Sequence, residues 1–135
     1  VSAGGVEDAH TAQIFVPPCI NGGYPRSVIA GAPTYMQYGQ SYNIQYLAAG
    51  GLQAARVCLI RLGAVTHGFD QDQRRVPLTN TSSAPISPPT YQVSVLAPAT
   101  KNITPPGYYM LFVLSQPTLN QFVPCEMAAY VQIGP

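Results

Sequence analysis

Arg61-Leu62-Gly63-Ala64-Val65-Thr66-His67-Gly68-Phe69-Asp70-Gln71-Asp72-Gln73-Arg74-Arg75-Val76-Pro77-Leu78 is the stretch around which the chain is organised. The apolar run Val57-Cys58-Leu59-Ile60 leads into it, and Val76-Pro77-Leu78 leads out. Apolar runs this short, separated by a Gly-bearing polar loop, have the length of strands. Only 8% of the chain is charged, yet residues 62–75 hold two Asp, two Arg and one of the two His. Scarce polar groups gathered in one loop between two strands imply that the rest of the chain is a scaffold presenting that loop.

The neighbouring segments repeat the strand signal. In Ser41–Leu47, Tyr42, Ile44 and Tyr46 alternate with Asn43 and Gln45, the period of two of a strand with one wet face. Tyr91-Gln92-Val93-Ser94-Val95 alternates likewise, and Gly107–Leu114 is the most apolar run, expected as a core strand. Further strands are expected at Gln13–Val16, at Ser27–Ala30, over Ala55–Leu62, at Arg75–Thr79 and over Glu126–Ile133. Residues 19–26, Asn80–Pro89 and Ala97–Pro106 are expected as loops because Pro, Gly, Asn and Ser cluster there. No helical periodicity of useful length is present. Fourteen Pro and twelve Gly punctuate the short apolar runs at intervals, as in an all-β domain. The predicted fold is an immunoglobulin-like Greek-key β-sandwich of about seven to eight strands. The chain lacks Trp altogether, so the Cys…Trp…Cys pattern of antibody domains is missing.

The 135 residues, 47% of them hydrophobic, suffice for one domain with its own core. A net charge of +1, from six Lys+Arg spread along the chain, argues against a nucleic-acid partner. No apolar run approaches the ~20 residues that cross a bilayer. Val1–Gly5 carries no initiator Met and no signal-like region. Residues 1–9 are therefore expected to be a segment or linker from a preceding domain, with the sandwich over 10–135. Asn80-Thr81-Ser82 and Asn102-Ile103-Thr104 are sequons, making Asn80 and Asn102 candidate glycosylation sites in a secreted protein. Of the three Cys, Cys58 lies in an apolar strand and reads as a small buried thiol. Cys19 and Cys125 sit beside prolines near the chain ends and are expected to form a disulfide, worth about 4–5 kcal/mol in the chain-entropy model. No Cys/His spacing suggests zinc.

His67 is the sharpest candidate for chemistry. Gly63 and Gly68 frame its loop, and Thr66 with Asp70 or Asp72 are placed to orient the ring, as ligating imidazoles require. Imidazole suits copper or zinc, but one His is not a metal site, and His10 is remote in sequence. Asp70 and Asp72 read either as a carboxylate dyad or as partners of Arg74 and Arg75 that staple the loop. No Ser has a recognisable His partner, and no Gly-rich phosphate loop is present. The nine tyrosines offer a carbohydrate-binding face, but most fall in strand patterns, where sheet packing accounts for them.

Three blocks in combination resemble one family. Gln13-Ile14-Phe15-Val16-Pro17-Pro18 with Pro25-Arg26, Ala32-Pro33 and Tyr38-Gly39 is the first. Leu59 to Leu78 is the second, and Pro105-Pro106-Gly107-Tyr108-Tyr109-Met110-Leu111-Phe112-Val113-Leu114 the third. Together they resemble the C-terminal early-set domain of the galactose oxidase and glyoxal oxidase copper radical oxidases, from about residue 10 onward. The resemblance implies that the Thr-His of this loop projects along the axis of a seven-bladed kelch-type propeller. His67 would be a copper ligand there. The other ligands, one His and two Tyr (one of them cross-linked to Cys), would come from that propeller, which this chain does not contain. The implied enzyme class is extracellular, oxidises primary alcohols or aldehydes, and reduces O2 to hydrogen peroxide. The alternative is a non-catalytic immunoglobulin-like module of an extracellular glycoprotein assembly.

Overall fold

In the computed structural model, the backbone is described for residues 2–3, 12–13 and 15–135, and side chains from residue 15 onward. The strands are β1 (Ser2–Ala3), β2 (Ala12–Gln13), β3 (Val28–Gly31), β4 (Tyr35–Gln37), β5 (Ser41–Leu47), β6 (Ala54–Arg61) and β7 (Ala64–Thr66), then β8 (Phe69–Gln71), β9 (Arg75–Ser87), β10 (Thr90–Leu96), β11 (Gly107–Thr118), β12 (Gln121–Pro124) and β13 (Ala129–Gly134). A single helical turn, α1 (Pro18–Asn21), packs on β12.

Nine strands form one curled sheet in the order β3-β5-β10-β9-β6-β11-β13-β4, with β12 on β11. The curl comes from β9. Its first residues pair with β6 (Val76 opposite Leu59, Leu78 opposite Val57), and the rest pair with β10 from Thr79 to Ser87. One strand thus belongs to both layers of a β-sandwich. At the parting point Asn80 Nδ2 donates to the Ala55 carbonyl at 3.3 Å, supplying a partner where the β6 ladder has ended.

Period-two alternation sends Ile44, Tyr46, Val93 and Val95 inward from one layer, and Val57, Leu59, Leu111, Val113, Val131 and Ile133 from the other; all are fully buried. Each such aliphatic side chain contributes about 1.5–3 kcal/mol by leaving water. The hydroxyls of the two fully buried tyrosines are bonded: Tyr46 accepts from the Ala54 N–H at 2.8 Å, and Tyr109 donates to the Pro105 carbonyl at 2.7 Å.

The all-β sandwich expected from the sequence is present, and Ser41–Leu47 pairs over its full length with β10. Several local expectations are corrected. Asn80–Ser87 is strand, not loop: its polar composition reflects exposure, while β10 supplies the backbone partners. The expected first strand contains Gln13 in β2, but Phe15 and Val16 are irregular and exposed, and Ile14 lies outside the described residues. Residues 18–21 form a helical turn where loop was expected. The short strand β12 was not anticipated, because β11 runs on to Thr118 and offers it an edge. The 1–9 segment falls largely outside the described residues.

The Cys19–Cys125 bridge is not formed: Cys19, Cys58 and Cys125 are all free thiols. Cys125 is buried, and its thiol is directed at the Met127 carbonyl at 3.2 Å. Cys19 sits on α1 outside the core. Nearness to the chain ends carried no information on where the two thiols point.

Candidate functional site

The charged loop folds back on itself. The Arg61 N–H donates to the Arg74 carbonyl at 2.9 Å and closes its neck. Beyond the neck, β7 and β8 pair as a hairpin, Ala64 with Gln71, Val65 with Asp70 and Thr66 with Phe69. Only His67 and Gly68 remain for the turn, at φ 49° and 82°. Positive φ at both central residues is what a two-residue hairpin needs to match strand twist, and it usually selects Asn-Gly. Here His takes the first position, a left-handed conformation that costs a non-Gly residue roughly 1–2 kcal/mol.

All eight residues of the hairpin are exposed, including the large apolar side chains Val65 and Phe69 at 76% and 70%. Thr66 Oγ1 lies 2.8 Å from His67 Nδ1. With the hydroxyl accepting from Nδ1–H, Nε2 carries the lone pair. That is the arrangement of an imidazole prepared to donate to a metal.

The base of the hairpin is held by polar contacts, not by burial. Asp72, itself at φ 65°, is ion-paired to Arg61 through Nε at 2.8 Å. Asp70 accepts from Gln73 Nε2 at 2.9 Å, and its carboxylate packs against Gly63 so closely that a Cβ there would collide with it. Arg74 donates to the Ile103 carbonyl at 3.0 Å. The next two carbonyls of that loop, Thr104 and Pro105, accept from the hydroxyls of Tyr38 and Tyr109. Three consecutive carbonyls are thus clamped by three side chains, one of which belongs to the hairpin neck. The Arg61 guanidinium also lies 5.9 Å over the Tyr109 ring. An open groove of about 530 Å³ runs between the hairpin base and Ile60, Arg75 and Met110.

This geometry redistributes the roles expected from the sequence. Thr66 contacts His67. Asp70 and Asp72 have separate partners and form no dyad. Neither is paired with Arg74 or Arg75: Asp72 turns back to Arg61, which precedes the loop. Arg75 faces the Cys58 thiol, whose pKa burial raises and the guanidinium partly lowers. Arg61, Tyr38 and Tyr109 were not foreseen as supports, and Gly63 serves by admitting the Asp70 carboxylate. The available signal was an Arg at the end of an apolar strand, beside a loop holding most of the chain's Asp. Among the described residues, no three of His, Cys, Asp and Glu come together as a metal-binding group. At the hairpin tip the imidazole of His67 is the one side chain of a type that could serve as a metal donor. His10 lies outside the described residues.

A family model described as "Galactose oxidase-like, Early set domain" matches residues 26–124. The chain is 32% identical over 111 residues, 82% of its length, to a protein named "Aldehyde oxidase GLOX" of Vitis pseudoreticulata, of which it covers 20%. It is 39% identical over 61 residues, 45% of its length, to "Galactose oxidase" of Gibberella zeae, covering 8% of that protein. A "WSC domain-containing protein" of Arthroderma benhamiae matches at 28% over 123 residues, 90% of the chain and 12% of that protein. The chain spans a fifth or less of the length of each of these relatives.

Proposed function

We propose, for a chain that belongs to the galactose oxidase-like early-set domain family, that the β7–β8 hairpin delivers His67 as one copper ligand to an active site completed by a kelch-type propeller outside this chain. The whole protein is read as a secreted oxidase that converts primary alcohols or aldehydes with O2 and releases hydrogen peroxide. The observation that carries this reading is the hairpin tip: an exposed imidazole, bonded through Nδ1 to Thr66 and flanked by the exposed Val65 and Phe69.

Bound copper would supply the redox chemistry. The part played by this chain is positional. Thr66 holds the ring through Nδ1, and in the tautomer with the proton on Nδ1 the free Nε2 is the donor. The positive φ at His67 and Gly68 keeps the turn to two residues, so the imidazole stands at the extreme of the hairpin. Val65 and Phe69 would exclude water once the hairpin is enclosed, lowering the dielectric around the site. Asp72 on Arg61, Asp70 on Gln73 and Arg74 on Ile103 set the angle at which the hairpin leaves the sandwich. Asn80 and Asn102 are both exposed and remain the proposed glycan acceptors of a secreted chain.

His67→Ala in the full-length protein tests the reading. Copper content should fall to background and peroxide production should disappear, while the unfolding free energy of the domain changes by no more than about 0.5 kcal/mol, as for an exposed substitution. Unchanged copper and peroxide would leave the non-catalytic module as the function of this domain.

A further inference from the structure

The tyrosines range from buried to exposed, with Tyr24, Tyr38, Tyr42 and Tyr91 half-buried between the extremes. Tyr46 and Tyr109 are fully buried. Tyr35, Tyr108 and Tyr130 are exposed at 40%, 59% and 65%, and strand register places these three on one face. Gln132 of β13 pairs with Tyr108 of β11 on one side and with Tyr35 of β4 on the other. Tyr130 lies two residues before Gln132 on β13, opposite Met110. Directly paired residues, and residues two apart on a strand, project from the same side of a sheet. The neighbours Tyr109, Val131 and Ile133 are buried in the core, so the tyrosine side is the outer one.

We propose that this outer face, built from Tyr35, Tyr108, Tyr130 and Gln132, binds a neutral polysaccharide chain. Three features favour that occupant. First, the four side chains carry no charge, which matches an uncharged polymer. Second, each ring combines an apolar face, able to stack on the C–H side of a sugar ring, with a hydroxyl at its rim, and tyrosine loses little conformational entropy when it is held. Gln132 sets an amide donor and acceptor between two of the rings. Third, Tyr35 and Tyr108 stand on strands either side of β13, two strand spacings or about 9.5 Å apart. That separation is close to the length of a disaccharide unit, so alternate sugars of an extended chain can meet the two rings. One ring is already fixed: the Tyr35 hydroxyl donates to the Pro135 carbonyl at 2.6 Å, and the ring packs over Gly134, where a Cβ would fall 2.7 Å from that hydroxyl.

The face is separate from the hairpin residues that carry the copper reading, so either proposal can fail without the other. The test is affinity electrophoresis of this chain through native gels containing galactomannan, hydroxyethylcellulose or no polymer. At least one neutral polymer should retard the wild type. Tyr108→Ala and Tyr130→Ala should each weaken retardation about tenfold, the order of loss that removing one stacking ring causes in single-stranded nucleic-acid platforms. Tyr130→Phe should keep most of the affinity, because stacking survives the loss of the hydroxyl. Leu119→Ala, which truncates an exposed apolar side chain elsewhere at 85% exposure, should migrate as wild type. No retardation by either polymer, or retardation that survives Tyr108→Ala and Tyr130→Ala, overturns the proposal. So does a full-length protein in which Tyr108 is protected from solvent and polysaccharide binding is absent, since the face would then belong to a protein partner.

Discussion

Strand β11 and the hairpin β7–β8 are both antiparallel β structure, but they are held by opposite means. In β11, residues Tyr109, Leu111 and Val113 are fully buried, and the strand pairs with β6, β12 and β13. In the hairpin, no residue is buried and β7 and β8 pair only with each other. What fixes the hairpin is its two-residue turn and the polar contacts at its neck. A two-stranded hairpin is marginal by itself in water, so this one relies on the rigid strands it leaves from. The lesson is a division of labour: the sandwich holds the free energy of folding, and the hairpin holds exposed chemistry that folding alone would not select.

Substitutions should separate the two regions, and the largest effect belongs to the strand. Leu111→Ala should lower the unfolding free energy by about 2–5 kcal/mol, the transfer and cavity cost of a buried leucine, measured by urea denaturation. A loss under 1 kcal/mol would mean that the core does not rest on β11.

A smaller effect on the core side comes from pH. Burial raises the thiol pKa of both Cys58 and Cys125 above the ordinary value of 9.0. Raised folded-state values favour the neutral thiol in the native protein. Their contribution is therefore complete below pH 9 and is lost as pH climbs through the folded pKa values. Unfolding free energy should fall on the alkaline side, and Cys58→Ala should make that fall shallower.

On the hairpin side the signs should change. His67→Asn places at the first turn position the residue that tolerates positive φ best beside Gly68. It should leave stability unchanged or raise it by about 0.5–1 kcal/mol, read from the thermal midpoint, while on the proposed copper reading metal binding by the full-length protein is lost. A marked loss of stability would show that the imidazole serves the fold after all. The smallest effect is expected from Asp72→Asn. The Arg61–Asp72 pair is partly exposed, at 22% and 41%, so solvent screening limits the loss to about 0.2–1 kcal/mol. On the proposed copper reading its signature is functional: a hairpin free to tilt should lower peroxide production of the full-length protein without abolishing copper binding.

Legibility followed the same division. The alternation in Ser41–Leu47 and the apolar run from Gly107 reported burial directly, and both stand as strands. Asn80–Ser87 misled because its side chains face solvent on a strand whose backbone is paired, and composition reports the first condition only. At the site, Thr66 beside His67 was legible because the contact is between adjacent residues. Arg61 with Asp72 and Arg74 with Ile103 were not, since a loop's charges can be paired several ways until backbone geometry chooses one.

By itself, then, the sequence determined the all-β class, the alternating core positions, and the placing of His67 in a charged, glycine-framed loop. Each follows from local periodicity or from residue chemistry that needs no distant partner. Only the tertiary structure decided that β9 serves both layers, that the three cysteines are free thiols, that Asp72 turns back to Arg61, and that Tyr35, Tyr108 and Tyr130 share one outer face. Those outcomes depend on which strands become neighbours and in what register. That choice is made by packing the whole core, and it reaches any one residue through partners as far away in sequence as Tyr35 is from Gln132.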